Sequence, residues 1–95
     1  MIVPLAPVAF QRFSVSNGGA VLMLEISWMT RFKYFVVNVR RANGAAVTLG
    51  RALHPQVDLL NGLSAGLGSI RLEGADPTPE NLGIDNRMVW RGPAV

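Results

Sequence analysis

Between Val21 and Met29 every second residue is large and apolar, with Leu22, Leu24, Ile26 and Trp28 sharing one parity. In an extended chain, side chains two apart leave the same face, whereas a helix would scatter these four around its circumference. The stretch is therefore read as a β-strand with a continuous core face. The run from Tyr34 to Arg41 repeats the pattern through Phe35, Val37 and Val39. Two such neighbours commit the chain to a sheet.

The residues around them punctuate a meander. Asn17-Gly18-Gly19 separates the run from Phe10 to Ser16 from the next strand, and Asn43-Gly44 follows Arg41. Such residues accept the positive φ of tight hairpins. The polar connection from Thr30 to Lys33 joins the two strong strands, and a shorter strand fits Ala46 to Leu49, stopped by Gly50. After His54-Pro55 the pattern loosens. Val57, Leu59, Leu60 and Leu63 with the break at Asn61-Gly62 predict a single helical turn packed over one end of the core. Gly66 to Gly68 reads as a loop, and Ser69 to Glu73 resumes alternation with Ile70 and Leu72 inward. Thr78, Pro79, Glu80 and Gly83 then carry helix-start and helix-stop chemistry over one turn. The last strand, Arg87 to Arg91, turns Met88 and Trp90 inward. The chain is thus expected to be all-β, a small antiparallel β-barrel or sandwich of about six short strands with one or two single-turn helices.

With 95 residues there is room for one core. Residues 1–9, carrying Pro4 and Pro7, are expected to be an extended N-terminal arm on a single β domain over 10–92. The outward parity of the two strong strands is Val21, Met23, Glu25, Ser27 and Met29, then Tyr34, Val36, Asn38 and Arg40. A sheet face exposed to water is normally polar, and this one is mixed. The composition, 49% hydrophobic and only 16% charged, points the same way. Part of the surface is expected to meet other polypeptides. The candidate interface comprises Ile2, Val3, Leu5 and Val8 of the arm, Val21, Met23 and Val36 of the outward face, and Arg31 and Tyr34 at its rim.

Chemistry has little to stand on. The chain has no cysteine, which removes disulfides, thiolate metal sites and a cysteine nucleophile. His54 is the one histidine and has neither a nucleophile nor an orienting carboxylate beside it in sequence. Asp76, Glu80 and Asp85 match no calcium-loop spacing, and capping accounts for Asp76 and Glu80 without a metal. Gly62 to Gly74 is glycine-rich but has no lysine and opens no long helix, unlike a phosphate cradle. No enzyme activity, cofactor or metal is expected. The apolar opening, Met1 to Phe10, contains two prolines, lacks a basic start and is too short to span a bilayer. A net charge of +3 invites a nucleic-acid reading, yet no polybasic tract is present. The alternative it leaves is a small barrel binding single strands on a basic and aromatic face of Arg31, Lys33, Tyr34, Phe35, Arg40 and Arg41.

Taken in order, the features resemble a known family. They are Val3-Pro4-Leu5, the strand Gln11 to Val15, the strand Leu22 to Trp28, Thr30-Arg31-Phe32 with Tyr34-Phe35, the turn Ala42-Asn43-Gly44 and Asp58-Leu59-Leu60. Gly68-Ser69-Ile70, the loop Asp76-Pro77-Thr78-Pro79-Glu80-Asn81-Leu82-Gly83 and Met88-Val89-Trp90 complete the series. The chain resembles the cyanophage-type baseplate plug family of phage tail proteins from about Val3 to Trp90, and the Asp76–Gly83 loop is its most specific element. Departures are Trp28-Met29, where an aromatic followed by a polar residue is expected, and Tyr34-Phe35, where a tryptophan is expected. The resemblance implies a structural virion protein at the central axis of the tail end, made in the host cytoplasm. It would pack against hub and tail tube proteins and against its own copies, helping to close the channel. It carries over no enzymatic residue.

Overall fold

In the computed structural model, which describes residues 1–17, 19–60 and 68–91, the chain is all-β, with seven strands in two antiparallel sheets. The strands are β1 (Ile2–Val3), β2 (Phe10–Asn17), β3 (Ala20–Met29), β4 (Tyr34–Arg41), β5 (Ala46–Leu53), β6 (Ser69–Gly74) and β7 (Asn86–Arg91). The first sheet holds β2-β3-β4-β5 side by side in chain order; the second has the order β1-β7-β6 and so joins the two ends of the chain.

Alternation sets the register of the larger sheet. Leu24 lies between Phe13 and Val39, and Ile26 between Gln11 and Val37. A slip by one residue would turn Leu22, Leu24, Ile26, Phe35, Val37 and Val39, all fully buried, towards water. At roughly 1.5–3 kcal/mol for each buried side chain of this size, that alternative is excluded. Ile70, Leu72, Met88 and Trp90 of the smaller sheet meet the same core, which Leu53, Leu59, Leu60 and Leu82 complete. The sheets do not close into a barrel.

Three expectations need correction. Gly50 does not stop the fourth long strand: β5 runs through it to Leu53. Gly50 takes φ +69°, and two extra residues of β5 are accommodated opposite Val37 to Arg40 as bulges. Asn38 holds the irregularity, since its Oδ1 accepts the Gly50 N–H at 2.7 Å. Second, residues 55–60 form no helical turn but cover the free side of β6. Pro55 bridges Leu72, the Gln56 N–H donates to the Leu72 carbonyl, and the Leu59 N–H donates to the Ile70 carbonyl, both at 2.8 Å. The Asp58 carboxylate accepts the Leu60 and Ile70 N–H groups, closing the segment onto the strand. Leu63 and most of the Gly66–Gly68 loop lie outside the described residues.

The third correction concerns the loop after β6, where turns replace the expected helix; no described residue is helical. The capping chemistry is nonetheless present. Thr78 Oγ1 accepts the Asn81 N–H at 3.2 Å while Asn81 Oδ1 accepts the Thr78 N–H at 2.7 Å, a reciprocal box with asparagine in the place of the usual glutamate. Gly83 ends the turn at φ +83°, packed so closely on Leu5 that a Cβ would lie 2.7 Å from the Leu5 carbonyl oxygen. Asn86, only 5% exposed, ties the loop to the sheet: its Oδ1 accepts the Gly83 N–H, and its Nδ2 donates to the Ala75 carbonyl and to Asn81 Oδ1. A buried amide with every bond satisfied fixes one loop conformation, since any alternative leaves polar groups without partners.

Candidate docking surfaces

The structure distributes the expected interface residues over several surfaces. On the outward face of the larger sheet, cross-strand pairing assembles rows of side chains. One row is Phe10, Ser27, Val36 and Ala52; another is Ser14, Met23, Arg40 and Ala46. Between them runs a polar row. Arg12 lies 3.7 Å from the Glu25 carboxylate, and Asn38 Nδ2 donates to Glu25 Oε1 at 3.1 Å. This exposed pair orders the face more than it stabilises the fold, because solvent screens it. Val21 is exposed beyond the second row, and Tyr34 borders the first row beside Met29. Val21, Met23, Val36 and Tyr34 thus share one face, crossed by a polar stripe. Arg31 lies in the exposed turn between β3 and β4.

The N-terminal residues divide differently. Val3, 1% exposed, pairs with Met88 and belongs to the chain's own core, so its side chain is withdrawn from any docking surface. The start of the arm is a strand of the smaller sheet, fixed by the Met1 amino group donating to the Trp90 carbonyl at 2.7 Å and the Trp90 N–H donating to the Met1 carbonyl. Leu5 is partly buried against the core. Ile2, 60% exposed, lies on the outward face of the smaller sheet beside Val89, and Val8 is exposed in the connection to β2. Gln11 holds that connection by pairing its side-chain amide with both backbone groups of Ala6.

Sequence reasoning missed several exposed apolar residues: Phe10, Phe32, Leu49, Val57 and Ile84. Parity along β2 was the available signal for Phe10, which shares it with Arg12, Ser14 and Ser16. For Ile84, directly after the stop at Gly83, no periodic signal existed. The basic and aromatic face does not form. Phe35 is buried, and Arg31 with Lys33 precedes β4 while Arg40 and Arg41 end it, about 20 Å away along an eight-residue strand. What remains at the near end is a short ring series, with Phe32 and Tyr34 centroids 6.0 Å apart and Tyr34 and His54 also 6.0 Å apart. Among the described residues, no cluster of three or more metal-ligating side chains occurs. His54 is exposed.

Comparison with known proteins agrees with the resemblance read from the residues. The family model described as cyanophage baseplate Pam3 plug gp18 matches residues 1–93. A search of curated proteins returned no match. With the match extending over both sheets and the loop between β6 and β7, the chain belongs to the cyanophage baseplate plug family and is a structural component of the virion tail.

Proposed function

We propose that this chain plugs the central channel of a contractile tail at its baseplate, packed against hub and tube proteins and against further copies of itself. The observation that carries this reading is the outward face of the larger sheet. Phe10, Val21, Met23 and Val36 stand there outside a core that is already complete beneath them. Apolar surface of this kind, interspersed with Arg12 and Arg40, has residue types enriched in protein interfaces: apolar positions with arginine among them. The channel-closing role requires a rigid body. The single core and the amide-locked loop supply one.

The test is a pair of surface changes, Phe10→Asp with Val21→Asp. Both side chains point to solvent, so melting is expected to stay near that of the wild type while incorporation into assembled tails falls. Undiminished incorporation would sink the docking role of this face. Removing residues 1–7 is a poorer test than the sequence suggests, because it also removes β1 and Val3. A nucleic-acid role predicts instead that the chain binds single-stranded DNA with an affinity that falls steeply as salt rises.

A further inference from the structure

The outward face of the smaller sheet is basic. Arg71 pairs across with Val89, which pairs with Ile2, and Arg91 pairs with Ser69. Arg71 and Arg91 are therefore diagonal neighbours, roughly 7–8 Å apart at their stems. With Gln56 they line a shallow groove that also contains Ser69, Glu73 and Val89. The third arginine of the face, Arg87, is neutralised by Glu73, with Nε 3.0 Å from Oε1. Arg71 and Arg91 have no acidic partner among the described residues. Exposed Ile2 borders them.

The complementary surface occurs on the same chain. Of the six acidic residues, Glu25 pairs with Arg12, Asp58 accepts two backbone N–H groups and Glu73 pairs with Arg87. The other three, Asp76, Glu80 and Asp85, all fall in the loop between β6 and β7, which contains no lysine or arginine. Asp76 lines a groove with Lys33 and His54. Glu80 and Asp85 are exposed without side-chain partners among the described residues, and between them stands Ile84, at 67% the most exposed large apolar residue described. The molecule thus presents two arginines with an exposed isoleucine on one surface and two carboxylates with an exposed isoleucine on another, none of the four charges ion-paired among the described residues. Within one molecule no ion pair joins the two surfaces among the described residues. The loop caps one end of the β6–β7 hairpin, whereas Ser69 and Arg91 form the other end, about 17 Å away along six-residue strands.

We propose that copies of this chain associate head to tail, the Glu80–Asp85 loop of one seated on the Ile2, Arg71, Val89 and Arg91 face of the next. The charge complement selects a second copy over an unrelated occupant, and the locked loop presents its carboxylates without a backbone ordering cost. Because donor and acceptor surfaces differ, the contact is heterologous and propagates to a closed ring when the rotation allows. The inference rests on the self-association included in the proposed function and gives it surfaces.

Charge reversal tests it by sedimentation velocity over a concentration series. The wild type is expected to associate, less so at high salt. R71E/R91E and E80K/D85K are each expected to weaken association by about tenfold or more, and an equimolar mixture of the two to restore it, since each contact between unlike copies again pairs opposite charges. R71Q/R91Q, whose melting is compared with that of the wild type, separates lost contact from lost folding and is expected to weaken association while leaving melting unchanged. A wild type that stays monomeric at all concentrations, a reversed variant that associates like the wild type, or a mixture that stays apart overturns the proposal. Tail incorporation is scored separately. Wild-type chain that enters tails yet never self-associates overturns this contact alone, and chain that self-associates yet never enters tails overturns the baseplate role alone.

Discussion

The two sheets reach order by different means. The larger one is local: each strand pairs with its neighbour in sequence, and alternation of apolar residues sets both register and face. The smaller one gathers residues from the two ends of the chain, and polar groups hold much of it. Asn86, Asn81 and Asp58 satisfy loop backbone, while Asn17 and the amino terminus both donate to the Trp90 carbonyl. Apolar patterning suffices where contacts are near in sequence. Where a strand must be recruited from far away, directional bonds decide which of several greasy segments fits.

Each sheet has one tryptophan, and this gives the largest contrast. Trp90 in β7 is fully buried, whereas Trp28 in β3 is half-buried with its ring edge-on to Phe35 at 4.9 Å and 66°. Trp90→Ala is expected to cost about 3–5 kcal/mol and Trp28→Ala about half that, read from denaturant unfolding. Equal losses would mean that the end of the larger sheet is as tightly packed as the centre of the smaller.

Glycines sharpen the comparison. Gly74, φ +109°, ends β6 where a Cβ would lie 2.6 Å from the Asp85 carbonyl oxygen; Gly50, φ +69°, has open space around it. Gly74→Ala therefore combines strain with a backbone clash and is expected to lose about 2–4 kcal/mol, against about 1 kcal/mol for Gly50→Ala. The asparagines come next. Asn86→Ala leaves the Gly83 N–H and the Ala75 carbonyl without their partner, for a loss of about 1–3 kcal/mol. Asn38→Ala, on the partly solvated face of the larger sheet, is expected to lose about 1 kcal/mol or less because water replaces its bonds. Thermal unfolding of the two variants side by side checks the order. The smallest effect is expected for Glu25→Gln, within roughly 1 kcal/mol, since Arg12 is largely exposed.

Parts of this were legible beforehand. Period-two runs identified the inward residues of β3, β4, β6 and β7, including Trp90, because alternation is imposed by strand geometry itself. Gly50 was misread because a positive-φ glycine marks a strand end and a bulge with the same residue; only the partner strand, with Asn38 facing it, tells them apart. Val3 reads as part of a docking arm because the few residues ahead of Pro4 are too short a run to show periodicity. Its burial depends on β7, over eighty residues away.

What the sequence determined alone was the class of fold and the parity of its long strands, since side-chain direction along an extended chain is a local property. Tertiary structure decided which apolar residues remained for partners. Ile2 and Val3 are adjacent and chemically alike, yet pairing with β7 turns one outward and the other into the core. It also decided that Arg71 and Arg91 share a groove while Glu80 and Asp85 stand at the far end of the same hairpin, because charges meet or miss according to register, which no stretch of sequence contains by itself.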